Sequence, residues 1–138
     1  MKGLIFLVMV LISGGVMAQA RLEVVVTNVQ EAKGTVRVGI FSDSKSFLKE
    51  ATFGKVVKAT KGEVRIVFEN IPPGTYGVSV IHDENENGEL DSGLFGIPKE
   101  GFGFANDAMG TFGPPGFEKA SINIGTDPKI ISIGMKYL

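Results

Sequence analysis

The chain has 138 residues, a formal net charge of −1 and no cysteine. The balanced charge leaves no basic surface for nucleic acid or an anionic membrane. The lack of cysteine excludes disulfides, thiolate nucleophiles, cysteine-ligated zinc and a lipid-modified N-terminal cysteine. A chain of this length is expected to form one ordinary domain with a single core.

The N-terminal stretch is organised like an export signal. Lys2 provides a positive charge, residues 4–12 are uninterruptedly apolar, and small residues recur through positions 13–20. The apolar run is about nine residues long, whereas a membrane-spanning helix needs roughly 20. We therefore predict a signal peptide over residues 1–20 and a mature start at Gln19 or Arg21. The mature chain should lack a transmembrane segment and be exported, to the periplasm or outside the cell.

From Arg21 onward, apolar residues recur at every second position, which is typical of strands buried on one face. A weaker strand is indicated over residues 55–60, with a hairpin at Lys61-Gly62, and Asp43 with Ser44 should cap a helical turn within residues 42–50. About seven short strands predict an all-β domain over residues 21–138, an antiparallel two-sheet β-sandwich of Greek-key, transthyretin- or immunoglobulin-like type. The clearest alternating sets are Leu22, Val24 and Val26; Val36, Val38 and Ile40; Val64, Ile66 and Phe68; Tyr76, Val78, Val80 and His82; Ala120, Ile122 and Ile124; and Ile131, Ile133, Met135 and Tyr137.

One long connection, over residues 92–116, is rich in glycine and phenylalanine. A disordered segment would rarely hold so many phenylalanines, so we expect an ordered loop whose rings are buried against the sheets. The alternative is an exposed surface over residues 93–117 that binds a peptide or carbohydrate. The absence of tryptophan, with Tyr76 and Tyr137 on inward faces, weighs against a carbohydrate.

The stretch from Asp83 to Asp91 has oxygen-bearing side chains at every second position. These residues are Asp83, Asn85, Asn87, Glu89 and Asp91, with Gly88 at the point of the sharpest turn. The spacing matches positions one, three, five, seven and nine of a calcium loop, in which position seven uses the backbone carbonyl. We therefore predict calcium as a cofactor, bound by these residues and holding the long loop in one conformation.

This loop is not an EF-hand, because Leu94 occupies the position of the bidentate glutamate and no helical pattern flanks the loop. A remaining ligand must come from elsewhere, and Glu100, Asp107 and Asp43 are the candidates. The competing interpretation is an Asx-rich turn without a metal, since Asn87-Gly88 is a strong turn signal by itself.

The single histidine, His82, limits the possibilities for catalysis. A hydrolase would need His82 as base, Asp83 as its orienting group and Ser79 or Ser92 as nucleophile, but neighbouring strand residues point to opposite faces. Glu84 and Glu86 could act as paired carboxylates on a glycan, although a solvated loop explains them equally well. No motif of a serine hydrolase, phosphate-binding loop or zinc enzyme is present.

We therefore identify no catalytic residues and favour a non-enzymatic module. It would bind a protein or glycan partner or serve a structural role in the envelope, and a hydrolase is the alternative from another class. No nucleic-acid partner is expected, in keeping with the balanced charge.

Three motifs in this order carry a resemblance to a known family. They are His82-Asp83-Glu84-Asn85-Glu86-Asn87-Gly88-Glu89-Leu90-Asp91, then Gly96-Ile97-Pro98-Lys99-Glu100-Gly101-Phe102-Gly103-Phe104-Ala105-Asn106, then Phe112-Gly113-Pro114-Pro115-Gly116-Phe117. They closely resemble DUF2141, a bacterial family of small exported proteins without an assigned activity. The resemblance covers essentially the whole mature chain and implies an exported bacterial protein. Ala105 departs from the small hydroxyl residue that the family pattern favours. Residues 71–76 are also similar, over a short stretch, to transthyretin-like and carboxypeptidase-regulatory-like sandwiches.

Overall fold

Two β-sheets packed face to face make up the computed structural model, which describes residues 19–88 and 100–138. The three-stranded sheet has the order β4-β1-β8, and the five-stranded sheet has the order β3-β2-β5-β6, with β7 also paired to β5. The predicted two-sheet β-sandwich is confirmed. The strands are β1 (Ala20–Val29), β2 (Thr35–Phe41), β3 (Phe53–Lys58), β4 (Gly62–Ile71), β5 (Gly74–Asp83), β6 (Phe102–Phe104), β7 (Ser121–Ile124) and β8 (Lys129–Gly134).

The alternating pattern correctly predicted which side chains are buried between the sheets. Successive strand residues point to opposite faces, so each apolar set faces the other sheet. The last strand runs parallel to β1, with Leu22 paired to Lys129 and Thr27 to Gly134, while the other strand pairs are antiparallel. The most deeply buried members of this core are Leu22, Val24, Val26, Val36, Ile40, Ile66, Ile71, Val78, Val80 and Ile133.

The predicted hairpin at Lys61-Gly62 is wrong. β3 pairs with β2, whereas β4 pairs with β1 in the other sheet, so the turn carries the chain between sheets. The only direct link along this edge is the Lys55 side chain, whose Nζ donates to the Val67 carbonyl. Alternation determines which face of a strand is buried, but it does not determine the partner strand, and this is why the sequence misled.

A second apolar cluster lies on the outer face of the five-stranded sheet, and we call it the phenylalanine cluster. Its buried members are Phe41, Phe47, Phe102, Phe104 and Ala120, with Ala108 and Phe117 partly buried against them. Gly77 of β5 lies beneath it, and a Cβ there would come within 2.9 Å of Phe117 and 3.0 Å of Phe47. The rings cover this part of the strand because Gly77 has no side chain.

The turn after β2 brings Phe47 into this cluster. Asp43 Oδ1 accepts the Ser46 amide at 2.8 Å, and the Phe47 amide donates to the Asp43 carbonyl at 3.1 Å. The two Ser46 hydrogen bonds hold the pKa of Asp43 below its ordinary value. Asp43 therefore caps a single turn, as its position in the sequence predicted. Within residues 19–88 and 100–138, no helix has the length and apolarity to cross a membrane.

Candidate functional site at the end of strand β5

β5 ends in two polar residues that are completely buried, His82 and Asp83. They leave the strand on opposite faces, as alternation requires. His82 points between the sheets, and Asp83 lies beneath the loop that follows the strand. This end of β5 therefore supports two separate polar clusters, one around each residue.

The imidazole of His82 is engaged at both ring nitrogens. Nε2 lies 2.7 Å from the Lys33 carbonyl, and Nδ1 lies 2.8 Å from the Tyr137 hydroxyl. A carbonyl can only accept, so Nε2 carries the hydrogen, and Nδ1 of the neutral ring accepts from the tyrosine. The Tyr137 oxygen in turn accepts the Gln30 amide at 3.2 Å. Burial is the main cause that raises the pKa of Tyr137.

The carboxylate of Asp83 organises the loop that follows. Its Oδ1 accepts the Asn87 amide at 3.2 Å, and its Oδ2 accepts the Gly88 amide at 2.7 Å. The Asn85 side-chain oxygen accepts the same Asn87 amide at 3.2 Å, which closes an Asx turn. The chain folds back through positive φ angles at Glu86 (57°) and Gly88 (81°). Asp83, Asn85 and Asn87 are thus brought into one tight turn, as the spacing predicted.

The turn between β1 and β2 closes one side of this site. Gly34 has φ of +71°, and a Cβ there would lie 2.1 Å from the Asp83 carbonyl oxygen and 2.7 Å from Glu84 Cα. Only glycine fits such a close approach of two backbones. The position of the buried carboxylate is therefore fixed by backbone packing from a neighbouring turn.

Glu100 is the one of the three candidate ligands that lies at this loop. It is 4% exposed, and its Oε2 accepts the Glu84 amide at 2.7 Å. Asp107 instead accepts the Gly134 amide at 2.9 Å, and Asp43 caps the turn at the opposite end of β2. Two buried carboxylates, Asp83 and Glu100, therefore bind backbone amides of the same short loop.

Thr35 belongs to the site but was missed by sequence reasoning. It is paired directly with Asp83 across β2 and β5, so both side chains leave the sheet on the same face. Its Oγ1 is buried and has no hydrogen-bond partner in the described part of the chain. A threonine at the start of a strand is common, and its place opposite Asp83 follows only from the strand register.

The remaining predicted ligands, Glu89 and Asp91, lie outside the described residues, and so does Ser92. Within residues 19–88 and 100–138, no three His, Cys, Asp or Glu side chains are grouped to hold a metal ion. An ion at this loop would therefore rely on amide and carbonyl oxygens besides Asp83 and Glu100. Such mixed oxygen ligands are typical of calcium.

The hydrolase arrangement is not assembled around His82. Its two nitrogens contact Lys33 and Tyr137, while Ser79 leaves β5 on the opposite face. The nearest carboxylate oxygen to the ring in the described residues is Glu84 Oε1, at 3.9 Å from Nδ1. His82 therefore joins three backbone segments in a buried network.

Most rings of the long loop are packed rather than displayed. Phe102 and Phe104 form β6 and are buried in the phenylalanine cluster, where Phe117 is half-buried. Phe112 is the exception and is fully exposed. Phe95 lies outside the described residues. The expectation of rings buried against the sheet is confirmed for Phe102, Phe104 and Phe117.

Fold and site together define a small bacterial-type β-sandwich with a buried acidic loop at one end of its larger sheet. Residues 24–132 match the family described as an uncharacterized protein conserved in bacteria, DUF2141. The chain belongs to this family, and the predicted membership is confirmed.

The other comparisons add little. A search of curated proteins finds no match. A solved structure of a pilus-presented adhesin, Spy0125 (Cpa), is similar with a TM-score of 0.33 and 9% sequence identity, over 88% of this chain and 27% of the adhesin chain. The chain thus spans about a quarter of that protein's length, and a likeness at this score carries no argument about function.

Proposed function

We propose that the protein is an exported, calcium-stabilised β-sandwich that serves as a binding or structural module of the bacterial envelope. In this proposal, the ion is bound by Asp83, Asn85, Asn87, Asp91 and the Glu89 carbonyl. Glu100 supplies the remaining carboxylate. The bound ion then holds the following loop in a single conformation.

The observation that carries the proposal is the pair of buried carboxylates, Asp83 and Glu100, on one loop. Burying an ionised carboxylate costs several kcal/mol unless hydrogen bonds or a cation compensate. Backbone amides occupy part of the lone-pair capacity, about four sites per carboxylate, and leave the rest for a cation. Within the described residues, no lysine or arginine nitrogen lies within 4.0 Å of Asp83. The orphaned Thr35 hydroxyl on the same face is a further oxygen donor.

The ligand chemistry favours calcium over other common ions. All proposed donors are oxygens, whereas zinc prefers nitrogen and sulfur. Magnesium demands near-ideal octahedral geometry and usually retains several waters, but calcium accepts six to eight oxygens in irregular arrangements. Exported sites of this kind typically bind calcium with Kd of ~10⁻⁴ to 10⁻³ M.

Export is supported by the leader-like composition of residues 1–20. Ala20 is buried and pairs with Ile71 at the start of β1. A mature chain that begins at Gln19 retains this contact, and one that begins at Arg21 loses it. We therefore expect N-terminal sequencing of protein purified from its host to read Gln19. An intact Met1 in the membrane fraction would contradict export.

Calcium binding is tested by thermal melting in chelator and in about 2 mM calcium. With Kd of about 10⁻⁴ M, linkage predicts ~1.8 kcal/mol of stabilisation, or several degrees in Tm. Asp83→Ala and Glu100→Gln should remove the calcium-dependent increase in Tm. Thr35→Val should reduce that increase without lowering Tm in chelator, because it removes a hydroxyl that has no partner among the described residues.

Glu84→Gln is the matched control, since the Glu84 carboxylate lies toward His82, on the other side of the strand from Asp83. It should retain the full calcium-dependent increase. Calorimetry then measures binding directly, with magnesium as the competing ion. If wild-type Tm is the same with calcium and chelator, and no heat of binding is detected, the stretch is only an Asx-rich turn.

A further inference from the structure

A groove of about 460 Å³ crosses the outer face of the five-stranded sheet, beside the phenylalanine cluster. Its floor is formed by the outward positions of β3, β2 and β5, including Gly54, Gly39 and Ser79. Gly88 of the acidic loop lies at one end. The groove is separate from the proposed calcium ligands, and its function does not depend on them.

The floor is low because two glycines face each other across neighbouring strands. Gly39 of β2 is paired directly with Gly54 of β3. A Cβ added at Gly54 would meet only the Val38 carbonyl, at 3.7 Å, so space is open above it. Glycine inside a strand weakens the strand, and it often marks a place where another chain or a ligand approaches closely.

The groove is positively charged and lacks acidic residues in its lining. Arg37 stands on the wall beside Val56, and in the described residues no carboxylate lies within ion-pairing distance of its guanidinium. Lys49 lies on the rim, while the Lys55 side chain is turned away toward β4. A guanidinium with free donors in a concave site favours a carboxylate, which it can bind through two parallel hydrogen bonds.

The edge of the sheet beside the groove is also open. β3 pairs only with β2 among the described strands, so its other edge has unpaired backbone groups. Val56 is 50% exposed and Leu48 is 40% exposed, which gives the groove an apolar rim. An added strand would form backbone hydrogen bonds with β3 and place alternate side chains on this face. Because Gly54 has no side chain, a side chain of that strand could cross β3 toward Arg37.

We propose that this groove and the β3 edge bind an extended peptide segment of a partner protein, and that the segment carries a carboxylate side chain that pairs with Arg37. Charge complementarity, the open edge and the apolar rim all favour a polypeptide. An acidic polysaccharide could also supply carboxylates, but Phe41, the aromatic ring in the lining, is buried and offers no exposed stacking plane.

The test is selection from a displayed library of random dodecapeptides, with the full mature chain as bait at millimolar calcium. We expect enrichment of extended sequences that place aspartate or glutamate among β-branched residues. The best synthetic peptide should shift the ¹⁵N-amide signals of Phe53–Lys58 and Gly39 in the NMR spectrum. Replacing its acidic residue by the corresponding amide should weaken binding by about tenfold.

Three variants make the test specific. Arg37→Gln should weaken binding of the acidic peptide by about tenfold and leave the amide peptide unaffected. Gly54→Leu should block binding while keeping Tm, since the space above Gly54 is open. Arg21→Gln, an exposed arginine on the three-stranded sheet, is the control and should change nothing.

Several results would overturn the proposal. These are no enrichment, selected peptides that bind Arg37→Gln as well as wild type, and amide shifts confined to other surfaces. Polygalacturonate oligomers that shift the same amides at lower concentration than the peptide would identify the ligand as an acidic glycan and reject the peptide assignment.

Discussion

The two ends of β5 solve the problem of burial in opposite ways. At the Gly77 end, phenylalanine rings from three separate segments cover a strand position that has no side chain. At the Asp83 end, the chain buries an aspartate, a histidine and Glu100, and satisfies them with backbone amides and a tyrosine. Apolar burial is non-directional and requires no ligand, whereas buried carboxylates require partners at specific positions. Dependence on an ion is therefore expected at only one end of the strand.

The aromatic contacts at the Gly77 end are numerous and close. Phe47 packs edge-to-face on Phe41 with ring centroids 5.4 Å apart and on Phe117 at 5.8 Å. Such pairs contribute ~0.5–1.5 kcal/mol each beyond the area that they bury. Phe47 is thus the centre of the cluster, and its removal should affect the fold without affecting the acidic loop.

The largest expected effect is that of Phe47→Ala. Deleting a buried ring costs ~3–5 kcal/mol, because transfer energy is lost and a cavity remains. We expect urea denaturation to show a loss in this range, equal in calcium and in chelator. The calcium-dependent increase in Tm should be unchanged, since the loop lies at the other end of β5.

Phe112→Ala is the matched control, because the same ring is deleted from a fully exposed position. It should change the free energy of unfolding by no more than ~0.5 kcal/mol. If Phe47→Ala also removed the calcium effect, the two ends of the strand would be coupled and the comparison would fail.

The sequence was sufficient to predict the elements whose signals are local. Alternation identified the buried faces, and the spacing from Asp83 to Asn87 correctly predicted a turn that gathers side-chain oxygens. Asp43 was correctly identified as a cap for the same reason, since its partner lies three residues away. Local hydrogen bonds depend on spacing along the chain, and spacing is visible in a sequence.

Features that depend on strand pairing were not visible. The sequence could not choose Glu100 over Asp107 and Asp43, because the choice depends on where β5 ends relative to β6 and β2. It also gave no reason to notice Thr35, which becomes part of the site only through its register with Asp83. β6 was predicted to be loop, because its three residues are too few to establish a period.

The smallest expected effect concerns the histidine network at the Asp83 end and is tested with Tyr137→Phe. The substitution removes the hydroxyl that donates to the buried His82 Nδ1, so a ring nitrogen loses its partner at a cost of ~1–3 kcal/mol. Tyr76→Phe is the comparison, since its hydroxyl bonds the half-buried Pro72 carbonyl and its loss should cost less.

The cost of Tyr137→Phe should also depend on pH. Burial raises the pKa of Tyr137 above its ordinary value of 10.0, so the folded state binds this proton more tightly than the unfolded state. Its contribution to stability is therefore complete below about pH 10 and is lost as the pH rises through the pKa of the folded state. We expect urea denaturation at pH 7 to separate wild type from Tyr137→Phe by the full amount, and the gap to narrow above pH 10. A gap that stayed constant to pH 11 would mean that the tyrosine contributes only through its ring, and the polar end of β5 would then rest on Asp83 and Glu100 alone.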